Sequence, residues 1–122
     1  MEEILIADGK GRLGLSGRLL QLSWAPGSQV GIDDAMASIE VMRSLSDGSA
    51  LPLLVDISSV TVSAAARGAY ERAQAVSAVA LVGSTVVDTV AAAALKRHDF
   101  CPHAYFTSRA EALEWLDGLS AG

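Results

Sequence analysis

From residue 53 to residue 116 the chain alternates short apolar runs with longer segments of helical spacing. Leu53-Leu54-Val55-Asp56-Ile57 is an apolar run that ends near a carboxylate. Ala78-Val79-Ala80-Leu81-Val82-Gly83 is a second, closed by Gly83-Ser84, and Ala104-Tyr105-Phe106-Thr107 is a third. Runs this short and this apolar predict strands covered on both faces. Strands alternating with helices in this way predict right-handed βαβ units and a parallel sheet.

The first third has a different rhythm. Ile4 to Ala7 is strand-like, and Asp8-Gly9-Lys10-Gly11 is a turn cluster. Leu13 and Leu15 alternate with Gly14 and Ser16, and Gly17 permits a tight reversal into Leu19-Leu20-Gln21-Leu22-Ser23-Trp24. Short strands joined by glycine turns predict antiparallel hairpins, and Pro26-Gly27 ends the unit. An antiparallel front joined to a parallel back makes one mixed sheet.

Helix starts and stops punctuate the rest. Gly31 precedes Ile32, with Asp33 and Asp34 in a first turn that favours negative charge. Ile32, Met36, Ile39 and Met42 or Arg43, with Leu45, follow the helical repeat and predict one apolar, core-facing stripe on this helix. Asp47-Gly48 stops it, with Gly48 in the left-handed cap position, and Pro52 opens the next strand. Ser63 stands where its hydroxyl caps a helix from Ala64, turning Ala69, Tyr70 and Ala73 to the sheet. Ser84 repeats that logic. Ser108 and Glu111 have capping-box spacing ahead of a last helix, whose stripe is Ala112, Leu113, Leu116 and Leu119 with Trp115 at its border.

Composition narrows the classes. At 122 residues the chain is one domain, and with 51 % apolar but only 5 % aromatic residues its core is built from many small contacts. A net charge of −5 with scattered Lys and Arg argues against nucleic acid as a partner. Cys101 is the single cysteine, so no disulfide forms within the chain, and a reducing cytoplasm fits. Met1-Glu2-Glu3 is acidic where a secretory signal is basic, and no apolar run approaches the ~20 residues of a membrane span. The expectation is a cytoplasmic protein with no membrane partner.

The order of elements and several local stretches resemble a known superfamily. These are Leu22-Ser23-Trp24-Ala25-Pro26-Gly27, Asp34-Ala35, Pro52-Leu53-Leu54-Val55-Asp56-Ile57, Ala80-Leu81-Val82-Gly83-Ser84, and Phe106-Thr107 with Glu111-Ala112-Leu113-Glu114-Trp115-Leu116. Together they resemble the STAS/SpoIIAA-like superfamily, the fold of anti-sigma-factor antagonists, and more closely the small bacterial proteins grouped with STAS/SEC14-type domains. The resemblance implies an α/β fold with a mixed, mostly parallel sheet of about five or six strands, about four helices and an N-terminal antiparallel hairpin portion. It implies a non-enzymatic interaction or regulatory module; the SEC14-type grouping implies a small-molecule or lipid-binding domain as the alternative. In the antagonists a regulatory serine or threonine follows an aspartate at the start of the helix after the Asp-Leu-Ser strand end. Here Asp56-Ile57-Ser58 matches the strand end and Ser63 opens the next helix, but Val62-Ser63-Ala64-Ala65 replaces Asp-Ser-Ser-Gly. The resemblance therefore carries over the fold and the place of the functional surface, and not the phosphoswitch.

Candidate interaction residues are Asp56, Ser58, Ser63, Gly83 and Ser84, with Ser59 in the same loop. A phosphate on Ser63 would sit at free helix amides, while an unmodified serine there is a plain cap. Asp56 ends a parallel strand, where ligands of open α/β sheets collect, yet no His or second carboxylate accompanies it for acid–base work. His98, Asp99, Cys101 and His103 cluster in sequence, but their spacing matches no zinc pattern, so neither metal nor cofactor is expected. Gly9-Lys10-Gly11 and Gly83-Ser84-Thr85 lack the P-loop pattern. No nucleophile, base and orienting group converge, so the chain reads as a non-enzyme. The helical segment 85–97 leaves only a narrow polar stripe, and its Val87, Val90, Ala91 and Ala94 predict a homodimer contact.

Overall fold

The computed structural model describes residues 2–57, 59–73, 76–83 and 103–121. The chain opens with three antiparallel strands, β1 (Glu2–Ile6), β2 (Gly11–Ser16) and β3 (Leu19–Trp24). Asp8-Gly9 makes the first reversal, with Asp8 at φ 58 and ψ 34, Gly9 at φ 87 and the Lys10 amide donating to the Ala7 carbonyl. These are the angles of a type I′ turn, whose twist suits a hairpin and which favours Asp-Gly. The second reversal, Gly17-Arg18, uses Gly17 at φ 62.

A short strand β4 (Gln29–Val30) leads into α1 (Ile32–Leu45). Then come β5 (Leu51–Asp56), the two-residue β6 (Thr61–Val62), α2 (Ala64–Ala73), β7 (Val76–Val82), β8 (His103–Phe106) and α3 (Arg109–Ala121). The main sheet has six strands in the order β1-β2-β3-β5-β7-β8, with β3, β5, β7 and β8 mutually parallel; β4 and β6 form a separate parallel pair. This is the mixed, mostly parallel architecture expected from the hydrophobic pattern.

Both faces of the parallel half are covered. Leu51, Leu53, Val55 and Ile57 point to the side packed by α1 and α2, where Leu13, Leu20, Leu22, Trp24, Ile39, Met42, Ala66, Ala69, Val79 and Leu81 complete the larger core. Leu54, Ala78 and Ala80 point the other way, onto Ala112 and Leu116 of α3. That alternation is the two-residue period of a strand buried on both sides. Phe106 and Trp115 extend the second core, their rings 5.7 Å apart and tilted by 51°, a geometry aromatic pairs favour over face-to-face stacking.

Four details differ from the sequence reading. Pro52 does not open β5: the strand starts at Leu51, and the register with β7 shifts between Leu51 and Pro52. A bulge accommodates a residue with no amide to donate in a strand that has neighbours on both sides. Second, Ile39 and Met42 are buried as expected, but Ile32 and Met36 are not in the buried stripe of α1; Met36 is 53 % exposed, and Ala35 and Ser38 take the inside positions. Ser38 tolerates the interior because its hydroxyl donates to the Ala35 carbonyl at 2.8 Å and meets the Tyr70 hydroxyl at 2.6 Å.

Third, the first left-handed residue after α1 is Asp47, φ 52, with Gly48 at φ 81 behind it. The Gly48 amide donates to the Arg43 carbonyl at 3.1 Å and the Asp47 amide to the Ser44 carbonyl at 3.4 Å. This is the paired bonding of a Schellman motif, in which the residue one past the cap takes the left-handed conformation. Fourth, Leu119 is 43 % exposed, so the buried stripe of α3 ends at Leu116.

Candidate functional site

The C-terminal ends of β3, β5, β7 and β8 lie along one edge of the sheet, and the loop from β5 to α2 lies against that edge. The Ile57 amide donates to the Val82 carbonyl at 2.8 Å, and the Gly83 amide to the Phe106 carbonyl at 3.1 Å, so the pairing continues one residue beyond each strand. Ile57 and Val60 are buried and bracket a turn closed by the Val60 amide on the Ile57 carbonyl at 3.1 Å, with Ser59 at φ 58.

The loop is then sewn to the segment after β3. The Gly27 amide bonds the Ser59 carbonyl at 2.8 Å, the Thr61 amide the Ser28 carbonyl at 3.0 Å, and the Ser63 amide the Val30 carbonyl at 2.9 Å. The Ser28 hydroxyl donates to the Ala25 carbonyl at 2.5 Å and fixes the turn that offers these partners. With its backbone bonded and its apolar residues turned inward, the loop leaves Ser59, Thr61 and Ser63 exposed. A surface held in place by backbone bonds recognises a partner without first being ordered.

Ser63 does what its position predicts. Its Oγ accepts the Ala66 amide at 3.1 Å and so satisfies one of the free donors at the start of α2. Arg67 donates from Nη1 to the Val62 carbonyl at 2.9 Å, bracing the same junction. Asp56, the last residue of β5, is half-buried and itself engaged in an interaction. It lies between Ser23 of β3 and Val82 of β7 in the register, so no cationic or imidazole residue is its strand neighbour. Gly83 is buried beside the loop. Asp56, Ser63 and Gly83 are thus brought to one edge. Ser58 and Ser84 lie outside the described residues, as do Val87, Val90, Ala91 and Ala94 of the expected dimer helix and His98, Asp99 and Cys101. Among the described residues no three His, Cys, Asp or Glu side chains gather as a metal site would require.

Two polar contacts were not visible in the sequence. Lys10 Nζ lies 2.6 Å from Asp34 Oδ2 and donates to the Gln29 carbonyl at 2.9 Å, while Asp34 Oδ2 also accepts the Gly31 amide at 3.0 Å. The Lys10 hydrogen bond leads in holding the Asp34 carboxyl below its ordinary pKa, with the Gly31 amide adding to it against some burial. The other contact is the Ser38–Tyr70 pair, in which burial pushes the Tyr70 phenol up to about 12. Each joins residues more than twenty positions apart, and local spacing carries no signal for such pairs.

At the opposite end of the strands is an open depression of about 850 Å³. It lies between the β2–β3 turn, the starts of β5 and β7, and α3, with Leu19, Leu51, Pro52, Leu113 and Leu116 among its lining. Arg18, Glu114 and Asp117 also line it, and all three are exposed.

The family model described as a domain of unknown function, DUF7793, matches residues 13–120. The chain belongs to the DUF7793 family. Its fold is shared with a protein from Shewanella loihica PV-4, described as uncharacterized, of the DUF3478 family and with a SpoIIAA-like fold. The two are 16 % identical, align with a TM-score of 0.63, and the match covers 85 % of this chain and 90 % of that one. The fold of this DUF7793 domain is therefore SpoIIAA-like, as its sequence motifs implied. No curated protein matches the chain. No helix among the described residues is long and apolar enough to cross a membrane.

Proposed function

We propose that this DUF7793 domain is a non-enzymatic interaction module that acts in the cytoplasm and recognises a regulatory protein through the 56–63 loop and the adjoining Gly83 turn. The observation that carries the reading is the loop itself. Its backbone is bonded to a neighbouring segment at three points, and its exposed hydroxyls project from a rigid edge. Pre-ordering of this kind favours recognition. The depression at the other end of the sheet is open and rimmed by charge, which favours surface recognition over an enclosed lipid chamber.

The domain acts as a homodimer in this reading, through segment 85–97, whose sequence is apolar over more than one helical face. Ser63 serves as a helix cap, and recognition does not depend on its phosphorylation.

The test is capture of partners from an extract of the native cell by the tagged protein, set beside two variants. Thr61→Arg adds bulk to the exposed loop without removing a backbone bond, and Ser16→Arg does the same at the far end of the sheet. The reading expects a partner bound by the wild type and by Ser16→Arg and lost by Thr61→Arg. A partner held equally by both variants, or none at all, overturns it. Light scattering at micromolar concentration tests the dimer, and a monomer there refutes that part alone.

A further inference from the structure

We draw no further inference here: the strongest candidate, the open depression between the starts of β5 and β7 and the second half of α3, is lined by exposed charges of both signs, Arg18 against Glu114 and Asp117, and nothing in the structure shows what covers it.

Discussion

Ser38 of α1 and Tyr70 of α2 face each other with their hydroxyl oxygens 2.6 Å apart, across the contact between the two helices on the larger core. The Ser38 hydroxyl also lies 2.8 Å from the Ala35 carbonyl, so it bridges the backbone of its own helix and the Tyr70 hydroxyl. Ionising Tyr70 would leave a phenolate in an apolar interface, so burial raises its pKa to about 12, and the Ser38 hydroxyl beside it offsets only part of that rise.

The expected consequence is a loss of stability in alkali. The unfolded chain releases the Tyr70 proton near the ordinary value of 10, whereas the folded chain keeps it to about 12. Between these values the unfolded state binds fewer protons, so the stabilisation is complete below pH 10 and disappears as pH rises through 12. Its full size is about 3 kcal/mol. Tyr70→Phe should cost about 1 kcal/mol at neutral pH for the lost bond and flatten the fall above pH 10. Urea unfolding at pH 7 and at stepped alkaline pH measures both; an unchanged alkaline slope in the variant would refute the assignment.

Asp47→Gly should stabilise the protein by about 1 kcal/mol. Asp47 sits at φ 52 in the Schellman turn after α1, a conformation that costs most L-residues about 1–2 kcal/mol and glycine very little. The aspartate recovers part of that, so the gain lies at the low end. Gly48→Ala supplies the contrast, since Gly48 at φ 81 is also left-handed, and it should destabilise. Thermal unfolding of the two variants should shift in opposite directions.

That turn also shows how far the sequence is legible. Asp47-Gly48 announces a helix stop and Gly48 takes the expected left-handed angle, but the pair does not announce that Asp47 takes one too and stands first past the cap. The parallel back of the sheet was readable because β5, β7 and β8 are apolar runs separated by helix lengths, and the Asp-Gly hairpin because a type I′ turn demands those residue types. The stripe of α1 was misread because residue polarity was taken as a guide to its inside face: Met36 is exposed, while Ser38 is buried. What makes Ser38 acceptable inside is Tyr70, which lies 32 positions away. At the candidate site, Asp56, Ser63 and Gly83 were legible as strand ends and a helix start. The bonds that sew 56–63 to residues 27–30 were not, since they depend on β4 pairing with β6, strands of two residues each.

Gly11→Ala should be strongly destabilising through crowding, a different cause from the backbone strain that a side chain at Gly9, φ 87, would meet. A Cβ at Gly11 would lie 2.8 Å from both Ile6 Cγ1 and the Trp24 ring, inside any normal contact, while one at Gly9 would meet nothing within 4 Å. Crowding of this kind in a close-packed core costs about 1–3 kcal/mol. Denaturant midpoints should show a large loss, and fluorescence read in a Trp115→Phe background, which leaves Trp24 as the reporter, an altered Trp environment. A variant as stable as the wild type would mean that β1 does not pack against β2 and β3 as described.

Breaking the Lys10–Asp34 pair should change the acid limb of the stability curve. Asp34 has a depressed pKa in the folded state, so its contribution is present above the ordinary carboxylate value and is lost as pH falls through the folded value. Lys10 is 37 % exposed, and solvent screening holds such a pair to about 0–1 kcal/mol. Lys10→Met should move the Asp34 titration upward, as followed by carboxyl NMR, and lower neutral-pH stability by no more than that amount. An Asp34 titration that does not move would show that the Gly31 amide alone sets it.

Ser63 is where stability and recognition can be separated. Its Oγ accepts the Ala66 amide at 3.1 Å, so Ser63→Ala should lower stability by about 1 kcal/mol by leaving that donor unpaired. Aspartate also caps well, and its charge suits the positive end of α2. Ser63→Asp should therefore restore stability to the wild-type level. If Ser63 serves the fold alone, partner capture should follow stability, slightly weakened in Ser63→Ala and intact in Ser63→Asp. Because Thr61 and Ser59 project from the same loop, capture should still fail in Thr61→Arg. The opposite pattern is a Ser63→Asp protein that unfolds like the wild type yet holds no partner. It would make the serine hydroxyl itself a contact sensitive to negative charge, and would reinstate the phosphoswitch that the replacement of Asp-Ser-Ser-Gly argues against. Denaturant unfolding and capture assays on the same three preparations distinguish the two.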